Sequence, residues 1–311
     1  MSNQTPFSVH KYLLMTLDPV HVGTGGYRLG RVELSIVREP GTRLPKIPGT
    51  SLSGAIRSYA AYRYGKRTCA GQKGHCGQPT CPICYTFGSV TDRGSFSGVV
   101  SIGDARILLF PVYSMAGPVW VTSPSVLRDF CAANESVGRD KAKWGNEITT
   151  LSHLNLGWLM VERDGKPWTP PQKLTNSLPE DSPIRSRIVL VSDEIFSVVV
   201  NSNLEVRTSV SINPETGAAE EGALFTYEAI PRSTVLWMEV VVDDFRERFP
   251  QTTKKYDAIN HQDNAGDPLD KDWRSPTDVV VAGLEWAEHL GIGGMGTRGF
   301  GRIRNLGEVS G

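Results

Sequence analysis

Four of the five cysteines in this 311-residue chain fall within sixteen residues, in the stretch CAGQKGHCGQPTCPIC. They are Cys69, Cys76, Cys81 and Cys84, with His75 among them. The closing Cys81-x-x-Cys84 pair lets two thiolates reach one metal from a single turn. Two more thiolates, or one thiolate and His75, complete a tetrahedral site. Four protein ligands leave no position for a reactive water, so the expected chemistry is structural zinc. Two disulfides would suit an exported protein, unligated thiols are a further alternative, and an iron–sulfur cluster is compatible with the spacing. The opening MSNQTPFSVHKYLLMTLDPV has no basic start feeding a long apolar run, so a reducing, cytoplasmic setting is expected, which favours metal. Cys131, far from the cluster, reads as a small buried hydrophobe.

A second set of residues suits an anionic polymer. Thirty-three basic residues balance thirty-three acidic ones, so any such site must be local. GIGGMGTRGFGRIR brings Gly293 and Gly294 close to Arg298, Arg302 and Arg304. Its Gly-x-Gly-x-x-Gly letters match a dinucleotide fingerprint, but that fingerprint needs a strand before and a helix after. Here the order is helix, glycines, strand, and the dinucleotide reading fails. HVGTGGYRLGR, with His21 and Gly23, is a second glycine–arginine loop. SLSGAIRSYAAYRYGKR offers a third element, a helix start behind Pro48-Gly49 with Ser51, Ser53 and Arg57.

These residues need elements to hold them. Tyr12 to Leu17 reads as a strand, followed by the glycine-rich loop, and Val32 to Val37 as a second strand. Thr50 or Ser51 is placed to cap a helix whose apolar stripe is Leu52, Ala55, Ile56, Tyr59 and Ala60. Arg57 and Arg63 lie off that stripe, and Gly65 stops the helix. A strand follows the cysteines in VVSIGDARILLFPV. Residues 133–182 and 251–276 read as irregular insertions. LEVRTSVSI, NPETG and GALFTYEAI make a hairpin over 204–230. A helix after Pro276 closes at Gly291, and a short strand ends the chain. No segment has the roughly 20 apolar residues of a membrane span. The mixture predicts a single α+β domain over 1–311, with antiparallel pairing and an insertion at 66–90. The tryptophans read as core, Asp104 as structural, and Asp243-Asp244 as a solvated strand end.

The ordered set of stretches resembles the RAMP superfamily, in particular the repeated backbone subunit of type III CRISPR effector complexes of the Cmr kind. The matching pieces are HVGTGGYRLGRVELSIVRE, LPKIPGTSLSGAIRSY, VSIGDARILLFPV with VWVTSPSVL, VSDEIF, EVRTSVSINPETGAAEEGALFTYEAIP and GIGGMGTRGFGRI. Each is weak alone, and their order from residue 21 to 302 makes the set specific. The resemblance implies an RRM-like (ferredoxin-like) palm whose loops grip guide-RNA backbone, with the hairpin as a thumb between guide–target base pairs. It implies RNA contacts at His21, Gly23, Arg38, Lys46, Ser51, Ser53, Arg57, Gly293, Gly294 and Arg298. It also implies stacking of copies, other effector subunits as partners, and target RNA cut at regular intervals with Mg2+ or another divalent cation.

The family's acting aspartate sits in a G-x-V-D context that reads Gly30-Arg31-Val32-Glu33 here, making Glu33 the catalytic candidate. Its extra methylene shifts the carboxylate, so the alternative is the same scaffold without cleavage. A stand-alone ribonuclease that processes guide precursors is a third reading, disfavoured by the thumb pattern. The family's S-L-K-G becomes Ser51-Leu52-Ser53-Gly54, and Lys46 is the candidate to replace the missing lysine. Cys81-Pro-Ile-Cys84-Tyr-Thr-Phe87-Gly88 resembles the end of a zinc knuckle in related RAMP subunits.

Overall fold

The computed structural model of the chain describes residues 7–25, 32–71, 74–92, 94–257 and 267–309. Gly30 and Arg31, and part of the expected excursion at 251–276, lie outside them. The elements that position the site are, in chain order, β1 (Ser8–Thr16), α1 (Gly49–Tyr64), α2 (Pro82–Phe87) and β2 (Ala105–Val112). They continue with β3 (Glu205–Ile212), β4 (Ala219–Ala229), β5 (Val235–Val242), α3 (Pro276–Leu290) and β6 (Ile303–Glu308).

The fold is mixed α+β. Its main sheet runs β6-β1-β5-β2, each neighbour antiparallel, and continues through Val119–Thr122, Ile188–Val191, Lys141–Lys143, Leu159–Arg163 and His153–Leu156. Two of the outer pairings are parallel. Residues 133–182 therefore do more than the irregular insertion expected of them. They add three short strands and the buried Trp144, Leu154 and Leu156 to the common core. Their strands are too short and polar for periodicity to show.

The strand expected at Val32 to Val37 does not form as one. Leu34 bridges Tyr227, Ile36 bridges Gly23 and Arg38 bridges Pro45, so the segment changes partner every two residues. The strand expected in VVSIGDARILLFPV is split at Gly103-Asp104 into Val100–Ile102 and β2. The segment 251–276 carries a short antiparallel pair, Thr252–Lys254 with Pro268–Trp273.

α1 buries its expected stripe, with Leu52, Ile56 and Ala60 fully inaccessible. Burying a side chain such as Leu52 contributes about 1.5–3 kcal/mol. Gly65 ends the helix in the left-handed conformation, at φ 89°. No side chain of its own caps the helix start. Asp104 reaches across from the strand break instead, accepting the Gly49 N–H at 2.8 Å. α3 opens with a capping box between Ser275 and Asp278. It crosses α1 so closely that a Cβ on Gly283 would lie 2.3 Å from the Ile56 carbonyl oxygen.

That crossing gives a direct test. Gly283→Ala is expected to force the helices apart and destabilise the fold by about 1–3 kcal/mol. Thermal or urea unfolding of the two proteins measures it, and equal stability would show that the crossing is not tight.

Candidate functional site

Three loops and the β3–β4 hairpin meet at one end of the main sheet. The hairpin is a separate two-stranded sheet with Glu205 opposite Ala229 at its root. Its turn closes at Asn213, whose carbonyl accepts the Gly217 N–H at 2.9 Å. A small core of Tyr227, Ala229 and Phe300, flanked by Leu34, Phe225 and Met295, joins the hairpin to the C-terminal glycine loop.

His21 sits inside this junction at 6% exposure, not solvated as a loop histidine would be. Its Nδ1–H donates to the Glu228 carbonyl at 2.7 Å, which leaves Nε2 as the acceptor of the neutral ring. Its backbone bridges Gly294, whose N–H donates to the His21 carbonyl at 2.8 Å. A Cβ on Gly293 (φ 90°) would lie 2.4 Å from that same oxygen. A Cβ on Gly23 would lie 3.0 Å from the ring's Nε2. Glycine is thus required at Gly293, where the chain approaches itself, and a side chain at Gly23 would press on the His21 ring; Gly23, Gly25, Gly293 and Gly294 are exposed.

Glu33 lies half-buried against the hairpin root in a reciprocal pair. Its N–H donates to Thr226 Oγ1 at 3.2 Å, and its Oε2 accepts the Thr226 N–H at 3.3 Å. Arg298 is exposed and stacks over the Phe225 ring at 5.2 Å. Glu33, His21, Gly23, Gly293, Gly294 and Arg298 are therefore brought together.

The other expected contacts are not. Arg38 spends its guanidinium internally, with Nη1 and Nη2 bidentate on Glu228 at 2.6 and 2.9 Å and Nε on Asn201. Lys46 pairs with Asp104, so it does not stand free for phosphate. Burial raises the Asp104 carboxyl, but Lys46 and the Gly49 N–H outweigh it and hold the group below the usual carboxylate range. Ser51 and Ser53 are half-buried in the first turns of α1, whose leading N–H already faces the Asp104 carboxylate. Arg57 is 9% exposed and donates inward, to the carbonyls of Cys69 at 2.8 Å and Gly88 at 3.0 Å. It lies off the apolar stripe, as expected, but the cysteine insertion covers that side of α1.

The insertion itself packs around α1 and α2. Cys81 precedes Pro82 at the start of α2, and Cys84 sits one turn on. Cys69 and Cys76 come from the loop, and the four ligand atoms lie within 4.8 Å of one another. Sulfur–sulfur distances of 3.7 to 3.9 Å exclude disulfide bonds. The crowding of the neighbouring thiols, Cys69 first and then Cys81 and Cys84, holds Cys76 well below the usual thiol range. Cys69, Cys76 and Cys84 in turn push Cys81 up. Four thiols so crowded cannot all ionise without a cation between them, and the donor set fits a tetrahedral ion. His75 stands outside the group, its Nδ1 accepting the Val90 N–H at 3.0 Å. Cys131 is half-buried, its thiol donating to the Leu127 carbonyl.

A profile described as RAMP superfamily matches residues 13–304. The chain belongs to the RAMP superfamily. This RAMP chain is 32% identical over 250 residues to the CRISPR system Cmr endoribonuclease Cmr4 of Pyrococcus furiosus, covering 74% of this chain and 80% of the relative. Its fold is shared with a chain of the type III-B Cmr-beta complex in the apo state, at TM-score 0.64, 15% identity and 96% coverage of both. A crystal structure of Cmr4 aligns at TM-score 0.57 and 21% identity, over 97% of this chain and all of that one.

Sequence reasoning missed Glu228, Thr226, Tyr227 and Phe300, which fix the junction. The available signal was Glu228 standing alone in the apolar and hydroxyl-bearing stretch F-T-Y-E-A-I at the end of β4. Among the described residues no helix is long and apolar enough to cross a membrane.

The cluster predicts metal dependence of the fold. Cys81→Ser should lose bound metal and most folded yield, since structural sites contribute folding energy outright. Elemental analysis of purified wild type and variant measures it, and equal metal in both would remove Cys81 as a ligand.

Proposed function

We propose that the chain is a backbone subunit of a type III CRISPR RNA-guided complex. In this role it binds guide RNA within a stack of its own copies and other effector subunits. It cleaves complementary target RNA at regular intervals, with Glu33 as the acting carboxylate. The observation that carries the proposal is the reciprocal Glu33–Thr226 pair, which fixes a carboxylate at the root of a projecting hairpin beside two glycine loops. The endoribonuclease name of the Pyrococcus furiosus relative supports the same activity.

The order β1-α1-β2-β5-α3-β6, with sheet order β6-β1-β5-β2, supports reading these elements as an RRM-like palm and β3–β4 as its thumb. A thumb between base pairs would splay the target strand. The ribose 2′-oxygen then attacks the adjacent phosphorus as the bond to the 5′-oxygen breaks, giving a cyclic phosphate and a free 5′-hydroxyl. Glu33 Oε1 has no partner among the described residues and would take the 2′-hydroxyl proton or help hold a divalent cation. Such a cation would supply charge stabilisation at the phosphate. The four cysteines are read as a structural zinc site.

Glu33→Ala in the assembled, guide-loaded complex should lower target cutting by at least about 100-fold with guide binding unchanged. Glu33→Asp should retain or increase it. Labelled complementary RNA, with and without magnesium, provides the assay. Activity only in Glu33→Asp would make wild type a scaffold, and undiminished cuts in Glu33→Ala would move the chemistry to another group, with His21 the first to test.

Arg298→Ala should weaken guide binding equally for guides of different sequence and reduce its salt dependence, because phosphate contacts position without reading bases. Binding titrations at several salt concentrations measure this. A loss that depends on base identity would overturn the phosphate assignment.

A further inference from the structure

Arg57 presents a problem of buried charge. Its Nε and Nη1 satisfy the carbonyls of Cys69 and Gly88, but Nη2 is buried with no acceptor. A second orphan lies close by. Because His75 Nδ1 accepts from Val90, the neutral ring carries its proton on Nε2, and that atom too is buried without a partner. Two buried donors without acceptors, one of them cationic, are costly unless negative charge stands nearby.

The cysteine cluster supplies that charge. Four thiolates around a dication leave the centre with two net negative charges, in an enclosure where Cys69, Cys81 and Cys84 are fully inaccessible. Arg57 is bonded directly to the backbone of one ligand, Cys69.

We propose that Arg57 is a positioning residue of the metal centre, compensating the charge of the tetrathiolate and fixing the Cys69 ligand, with His75 as a second donor on the same side. The assignment rests on reading the cluster as a metal site. It also accounts for a cation on α1 that turns away from solvent. In water the pair would gain little, whereas in this enclosure the attraction is several-fold stronger because the medium screens less. Outer partners of this kind typically change metal affinity by about 10–100-fold.

The test compares zinc affinity of the purified full chain by chelator competition in wild type, Arg57→Gln and Arg57→Lys. Arg57→Gln removes the charge and should weaken zinc by about 10-fold or more. Arg57→Lys keeps the charge without the fork and should recover most of that loss. Cobalt-substituted protein should show the same tetrahedral thiolate spectrum in all three, since the ligands are unchanged. A merely structural arginine makes a different forecast, with both variants losing equal zinc affinity or neither losing any, and either result overturns the proposal. Should Arg57→Gln fail to fold, His75→Phe replaces it, with a several-fold loss expected and unchanged affinity counting against the donor cradle. A wild-type chain that holds no metal would overturn the metal reading itself, which is distinct from normal wild-type zinc with equal variants.

Discussion

The junction at the hairpin root depends on one buried carboxylate. Glu228 is 7% exposed, and its side chain accepts both outer nitrogens of Arg38 and the Ile36 N–H. Its own carbonyl accepts from His21. A single residue of β4 thereby fixes the segment carrying Glu33, the loop carrying His21 and the glycine loop bridged to His21. Removing one partner from such a pair leaves an uncompensated buried charge and typically costs about 3–5 kcal/mol. The orientation of Glu33 follows from this tie, because Thr226 lies two residues before Glu228 on the same strand.

α1 is held on three sides by different physics. Its apolar stripe faces the sheet, Gly283 of α3 admits close backbone contact, and Tyr59 donates its hydroxyl to the Gly291 carbonyl beyond α3. Arg63, 7% exposed, pairs with Glu285 and Asp270. On the side of Arg57 the cysteine insertion covers the helix. The insertion has a modest core of its own, in which Ala60, Ala61 and Tyr64 of α1 pack with Ile83, Leu269, Trp273 and Val279. An ion bound by four thiols would serve as the centre that so short a loop cannot otherwise build.

Much of this architecture was legible. The stripe of α1, the stop at Gly65, the hairpin and the helix after Pro276 follow from period and punctuation, which are local properties. Val32 to Val37 misled because alternation reports two faces, not one continuous partner strand, and here successive bridges go to different elements. Residues 133–182 misled in the other direction: strands of three to five residues buried by long-range pairing leave almost no periodic trace. Five tryptophans are buried as expected, yet Trp158 is 70% exposed, a distinction that type alone does not make.

The site was legible in its glycines and cysteines and poorly legible in its cations. A glycine that must admit another backbone has few substitutes, and four clustered cysteines have few uses, so residue type nearly determines role. An arginine or lysine has many roles. Of the four cations first placed on RNA, Arg38, Lys46 and Arg57 are occupied within the chain, and Arg298 alone is exposed. What distinguishes them is the location of an acceptor remote in sequence: Glu228 for Arg38, Asp104 for Lys46, and the Gly88 carbonyl for Arg57. In this fold the exposed glycines of the two loops and the exposed Arg298 lie together beside the hairpin.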